Sequence, residues 1–120
     1  MSYPFQTAQT PVWDPALRVG QVYLGQARSV AEVVGAPSGL TPLRNGSCDL
    51  DPATFATFVD RLLRFYNEGR HPTLAQLLRG VLLVSLVLLQ RAGGPPPPPG
   101  SAALDALLAE AAALEPTMPA

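Results

Sequence analysis

The sequence contains no lysine, one cysteine, one histidine and one tryptophan. A single cysteine, Cys48, excludes an intramolecular disulfide and makes a cytosolic setting the default. Eight arginines against nine acidic residues leave a net charge of −1. A near-neutral chain has no general attraction to nucleic acid or to an anionic membrane. Charged residues make up only 14%, against a usual ~25%, so the solvated surface is small or partly taken up by contacts. The first residues, Met1-Ser-Tyr-Pro-Phe-Gln-Thr, lack the basic region and apolar core of a secretory signal. At 120 residues, the length suits one domain around one core.

What the chain does have is a stretch from Leu74 to Leu89 in which, beyond Val81, only Ser85 interrupts the aliphatics. A helix that is apolar all round must be enclosed on most sides. The run falls short of the roughly 20 apolar residues of a spanning helix. Arg79 and Gln76 bound it on one side, Gln90, Arg91 and Gly93-Gly94 on the other. It reads as a core helix, running from Pro72 to about Ala92.

The other elements are laid out around it. Residues 1–13 carry Pro4 and Pro11 among spaced aromatics and aliphatics, and read as an extended arm over the core, with a short edge strand as an option. Asp14-Pro15 predicts the start of a first helix, Asp as cap and Pro at the first position. This helix ends at Gly35, with Val19, Val22, Tyr23, Ala27, Val30 and Val34 on its inner face. Residues 35–50 read as a long loop punctuated by Pro37, Gly39, Pro42 and Asn45-Gly46, and loops of that length are often functional. Asp51-Pro52 opens a second helix to about Glu68, with Phe55, Phe58, Val59, Leu62, Phe65 and Tyr66 inward. Gly69 ends it, and the Arg70-His71-Pro72 corner sets an antiparallel hairpin with the third helix. Five prolines, Pro95 to Pro99, predict a stiff spacer about 15 Å long. Ser101 caps a fourth helix, Ala102 to Leu114, whose narrow apolar stripe predicts loose docking. The expected fold is therefore all-α: a compact antiparallel bundle of three to four helices with an extended N-terminal arm. Residues 1–94 form the core domain, 95–100 the spacer and 101–120 a terminal helix and tail.

No catalytic, cofactor or metal motif emerges. Cys48 and His71 would make a nucleophile–base pair only with geometry their spacing does not supply. Cys48, Asp49, Asp51 and His71 lack the closely paired spacing of zinc ligands. The thiol reads as a structural group under the loop. Arg61, Arg64 and Arg70 would suit an acidic partner. Asp60 and Glu68 lie among them, and a solvated face with helix ion pairs is favoured. Trp13 is either an interface anchor or, beside a cap, a staple onto the core. The proline run suits a spacer better than a ligand for a proline-binding domain. Val84 and Val87 lie on an apolar helix that exceeds what three modest amphipathic helices can cover, which offers a seam for a partner or a second copy.

Four segments in this order and spacing, Val12-Trp-Asp-Pro15, Gly35-Ala-Pro-Ser-Gly-Leu-Thr-Pro42, Ser47-Cys-Asp-Leu-Asp51 and Arg70-His-Pro72, resemble an uncharacterised family of short proteins from high-GC actinobacteria. The resemblance covers residues 1–93 and leaves out the proline run and last helix. It implies a cytosolic bacterial protein and no catalytic residue. The leading functional expectation is a non-enzymatic accessory protein, without cofactor, that binds a protein partner or itself as a homodimer. The alternative is a helical pocket for an apolar small molecule or lipid tail, lined by Phe55, Phe58, Phe65 and the third helix.

Overall fold

The structure is a computed structural model that describes residues 1–8, 10–69, 71–95, 97 and 101–120. In chain order the elements are β1 (Phe5–Thr7), β2 (Thr10–Trp13), α1 (Leu17–Val34), β3 (Leu40–Pro42), β4 (Cys48–Leu50), α2 (Pro52–Glu68), α3 (Pro72–Arg91), α4 (Ala102–Leu114) and a final 3₁₀ turn, Glu115–Thr117. The expected all-α bundle is thus corrected to a mixed fold of four helices and a four-stranded sheet.

The sheet has the order β2-β1-β4-β3. β1 pairs antiparallel with β2 and parallel with β4, and β3 pairs antiparallel with β4. The predicted arm and long loop are therefore two hairpins joined side by side. Their strands are three or four residues long, too short for an alternating pattern to stand out. Strand β2 contains Pro11 and strand β3 contains Pro42. Both lie on the outer strands of the sheet, the position that tolerates a residue with no N–H to donate. The β1–β4 join brings Phe5 beside Cys48, a contact between distant segments that no local pattern announces.

Asp14 and Pro15 do not open α1. Pro15 C=O accepts from Tyr3 N–H at 2.9 Å and Asp14 N–H donates to Pro119 C=O at 2.7 Å, so both backbones serve the arm and the C-terminus. Ala16, still extended, takes the cap position. The far end is as predicted: Gly35 adopts φ 72°, and its N–H returns to Ala31 C=O.

The inner face of α1 is rotated from the expected one. Gly20, Tyr23, Leu24 and Ala27 are buried, whereas Val19 and Val22 are 53% and 58% exposed. The ring of Tyr3 occupies the space above Gly20, where a Cβ would lie 2.8 Å from Tyr3 Cβ. The glycine is thus the contact point for the arm, and the valines face away. Tyr3, Phe5, Trp13 and Tyr23 form one aromatic cluster, with Phe5 stacked on Trp13 at 5.1 Å between ring centroids. Such pairs stabilise by roughly 0.5–1.5 kcal/mol beyond their burial.

α3 lies at the centre. α2 packs on one flank, α4 packs on it as extensively, and α1 and β2 complete the enclosure. Leu78, Val81, Leu82 and Ser85 through Leu89 are all buried. By length and hydropathy α3 is also long and apolar enough to cross a membrane, but its central position in this fold accounts for the same composition. Ser85, the one polar interruption, shares a 2.7 Å hydrogen bond with the buried Tyr23 hydroxyl of α1. His71 takes the cap position, its Nδ1 accepting from Leu74 N–H at 3.4 Å.

Most of the narrow stripe of α4 packs inward, with Leu114 half-buried and Leu108 left 39% exposed. Leu104, Leu107 and Ala111 are buried on α3, and Met118 follows them into the same core. The expectation of loose docking is not met. Two arginines of α3 hold the helix in place. Arg79 donates to Tyr66 Oη at 2.7 Å and pairs with Glu110 of α4. Arg91 donates to the carbonyls of Val12 (2.9 Å), Glu115 (3.0 Å) and Met118 (2.7 Å) and pairs with the Glu115 carboxylate. Ser101 caps α4 as predicted, accepting from Leu104 N–H at 3.1 Å. Most of the predicted polyproline spacer, Pro96 and residues 98–100, lies outside the described residues.

Candidate functional site

The surface feature that stands apart is on the outside of α1. Val19, Val22 and Val33 are 53%, 58% and 61% exposed, and Leu77 of α3 is 71% exposed. Between the two helices runs an open groove of about 430 Å³, lined by Gln21, Val22, Gly25, Gln26, Ser29, Val30, Leu77 and Val81. The chain builds this groove because α1 carries two aliphatic stripes and the fold uses only one. The glycine at position 25 deepens it, since nothing lies within 4 Å of where a Cβ would be. Isolated exposed aliphatics are ordinary; here Val22 and Leu77 share one groove, and Val19 and Val33 recur on the same side of α1 as Val22, which makes this face the candidate surface. Sequence reasoning placed Val19 and Val22 in the core and so missed the site. The usable signal was the recurrence of Val19, Val22 and Val33 at helical spacing beside a second stripe, Tyr23, Leu24 and Ala27.

The residues singled out from sequence do not converge on this groove. Trp13 is 4% exposed and stacked on Phe5, the geometry of a staple. Val87 is 1% exposed, inside the core, and offers no seam. Val84 is half-buried and lies two turns from Leu77, on the same side of α3. Arg61 and Arg64 are exposed on α2, where Arg64 pairs with Asp60 at 3.2 Å. An exposed pair of this kind contributes only tenths of a kcal/mol. Arg70 lies outside the described residues.

Cys48 is fully buried in β4, and its Sγ donates weakly to Asp49 C=O at 3.7 Å. Burial, with the Asp49 charge added, pushes its pKa up to about 12. It therefore remains a neutral thiol near pH 7, whereas nucleophilic cysteines need the thiolate. His71 is committed to capping α3. Among the described residues no group of three His, Cys, Asp or Glu side chains is placed to hold a metal ion. Phe55 and Phe58 are fully buried and packed on each other at 5.9 Å. Both belong to the buried core, against which the half-buried Phe65 packs. A separate cleft of about 510 Å³ runs between α3 and α4, walled by Leu86, Leu89, Leu108 and Ala111.

No curated protein and no solved structure matches this chain. A family match does exist, and it extends over residues 1–120. The proline run and α4, placed outside the resemblance on sequence grounds, are thus inside the family. That agrees with a single buried cluster that includes Leu107 and Met118 together with Phe5 and Leu88. The chain belongs to DUF6086, a family of unknown function.

Proposed function

We propose that the chain is a non-enzymatic interaction protein that acts through the outer face of α1 and the adjoining edge of α3. The observation that carries this reading is the exposed run of Val19, Val22, Val33 and Leu77 beside the α1–α3 groove. Aliphatic side chains held in water forgo roughly 25 cal/mol for every Å² that burial would remove from solvent. Pro11 and Pro42 lie on the two outer strands and blunt them against pairing with another chain. The same proposal takes the protein as cytosolic and of high-GC actinobacterial origin, supported by the lone buried cysteine and by arginine used to the exclusion of lysine.

Site-specific photo-crosslinking in the native cell tests it. A photoreactive side chain at Val22 or Val33 should give adducts of discrete mass, abolished by Leu77→Arg. The same group at Arg61 or Arg64 on α2 should give none. Equal, sparse labelling from both faces would overturn the reading.

A further inference from the structure

We infer that the occupant of this face is a second copy of the chain, docked with its α1 antiparallel to the first about a twofold axis beside Gly25. The inference rests on the reading above and names its partner.

The first support is the period of the exposed stripe. Val19, Val22, Gln26, Ser29 and Val33 recur at alternating spacings of three and four residues, all on the half of α1 turned from the core. This is the seam of a helix that packs along another helix. Gln26 and Ser29 within it weaken the seam and suit a partner that comes and goes.

The second support is charge. Alongside the seam runs a row at a spacing of seven: Arg18, Gly25 and Glu32, all exposed. A twofold interface must be complementary to itself. With Gly25 at the axis of an antiparallel pair, Arg18 meets the partner's Glu32 and Glu32 meets the partner's Arg18. A parallel pair would hold Arg18 near Arg18 and Glu32 near Glu32. Among the described residues neither Arg18 nor Glu32 has an ion pair within its own chain.

The third support is space. Gly25 sits where the two helices cross and has no neighbour within 4 Å of a Cβ position. A glycine in mid-helix weakens the helix relative to alanine, and here it gives a close approach of two backbones and room in the groove for the partner's Val22. A seam of three valines interrupted by Gln26 and Ser29 offers little apolar surface beside the roughly 800 Å² per partner of a standard interface. The dimer is accordingly weak and dissociates on dilution through the micromolar range.

Sedimentation equilibrium over a concentration series reads the association, with circular dichroism to confirm that each variant is folded. Arg18→Glu alone and Glu32→Arg alone should each weaken the dimer by about tenfold, since two symmetry-related attractions become repulsions. The double variant Arg18→Glu/Glu32→Arg should restore the wild-type constant. Gly25→Cys should form a disulfide-linked dimer under mild oxidation, whereas Thr57→Cys on α2 should not, and buried Cys48 stays out of the exchange. A wild-type chain that is monomeric at every concentration, with Val22 crosslinks landing on a different protein, overturns self-pairing and leaves the interaction reading standing. An absence of α1 crosslinks overturns both. Single variants that weaken the dimer without rescue by the double variant overturn the antiparallel register.

Discussion

α3 and α1 are both rich in valine and leucine, and the fold treats them oppositely. From Val81 to Leu89, α3 carries aliphatic residues on every side, and neighbours close on it from every side: α2, α4, α1 and β2. α1 carries two stripes and is covered along one, by the arm and by α2 and α3. Apolarity alone therefore does not say what is buried. The number of neighbours that reach a helix decides it. In α3 an apolar residue is a packing requirement; on the outside of α1 it is an invitation to another surface.

The largest effect should come from stripping one neighbour off α3. A chain ending at Gly94 loses Leu104, Leu107, Ala111 and Met118 from the core, together with the anchors of Arg79 and Arg91. Each buried large apolar side chain stabilises by roughly 1.5–3 kcal/mol. Three of them rival the whole 5–15 kcal/mol stability of a typical domain. The shortened chain should lose its cooperative melt and bind a hydrophobic dye, read by calorimetry and fluorescence. A sharp transition within a few degrees of the full chain would mean that α4 is a dispensable appendage, as its weak amphipathic stripe suggests on sequence grounds.

A middle-sized effect joins the two helices directly. Ser85 and Tyr23 satisfy each other in the core, and burial raises the tyrosine's pKa. Ser85→Ala leaves a buried phenol without its partner and should cost about 1–3 kcal/mol in chemical denaturation. Tyr23→Phe should cost less, because a helical serine can turn back to the carbonyl four residues earlier. The double variant should be more stable than Ser85→Ala alone, since no unpaired donor is left behind. Additive losses would show that the bond between α1 and α3 contributes nothing specific.

The contrast between the helices also explains what was legible in the sequence. All four helices were, because α1, α2 and α4 carry apolar residues at helical spacing, α3 carries a long aliphatic run, and each has local start or stop signals. Gly35, Gly69 and Ser101 stand at helix ends as read. The sheet was hidden because its information is not local: Phe5 finds Cys48 only once the chain between them has folded. The surface site was hidden for a different reason. Val19 and Val22 look like core and Gly20 looks like surface until Tyr3 is known to lie on Gly20. A glycine that makes room for a ring from elsewhere inverts the face of its helix. Arg79 and Arg91 read only as the polar bounds of an apolar run. Their partners, Tyr66, Glu110 and Glu115, come from other elements.

The smallest effect gives the sharpest comparison, because it sets one residue type against itself. Val87 of α3 is 1% exposed and Val22 of α1 is 58% exposed. Both lie within helices, so the propensity gained on changing β-branched valine to alanine is shared and cancels in the difference. Burial remains. Val87→Ala removes buried methyl groups from a packed interior and should cost about 2 kcal/mol. Val22→Ala, measured by denaturation in dilute solution where the chain is monomeric, should change stability by less than about 0.5 kcal/mol in either direction. The same Val22→Ala change should weaken self-association at high concentration, which separates its role from that of Val87. Equal losses of stability from the two variants would put Val22 inside the fold, and the exposed stripe of α1 would cease to be a candidate surface.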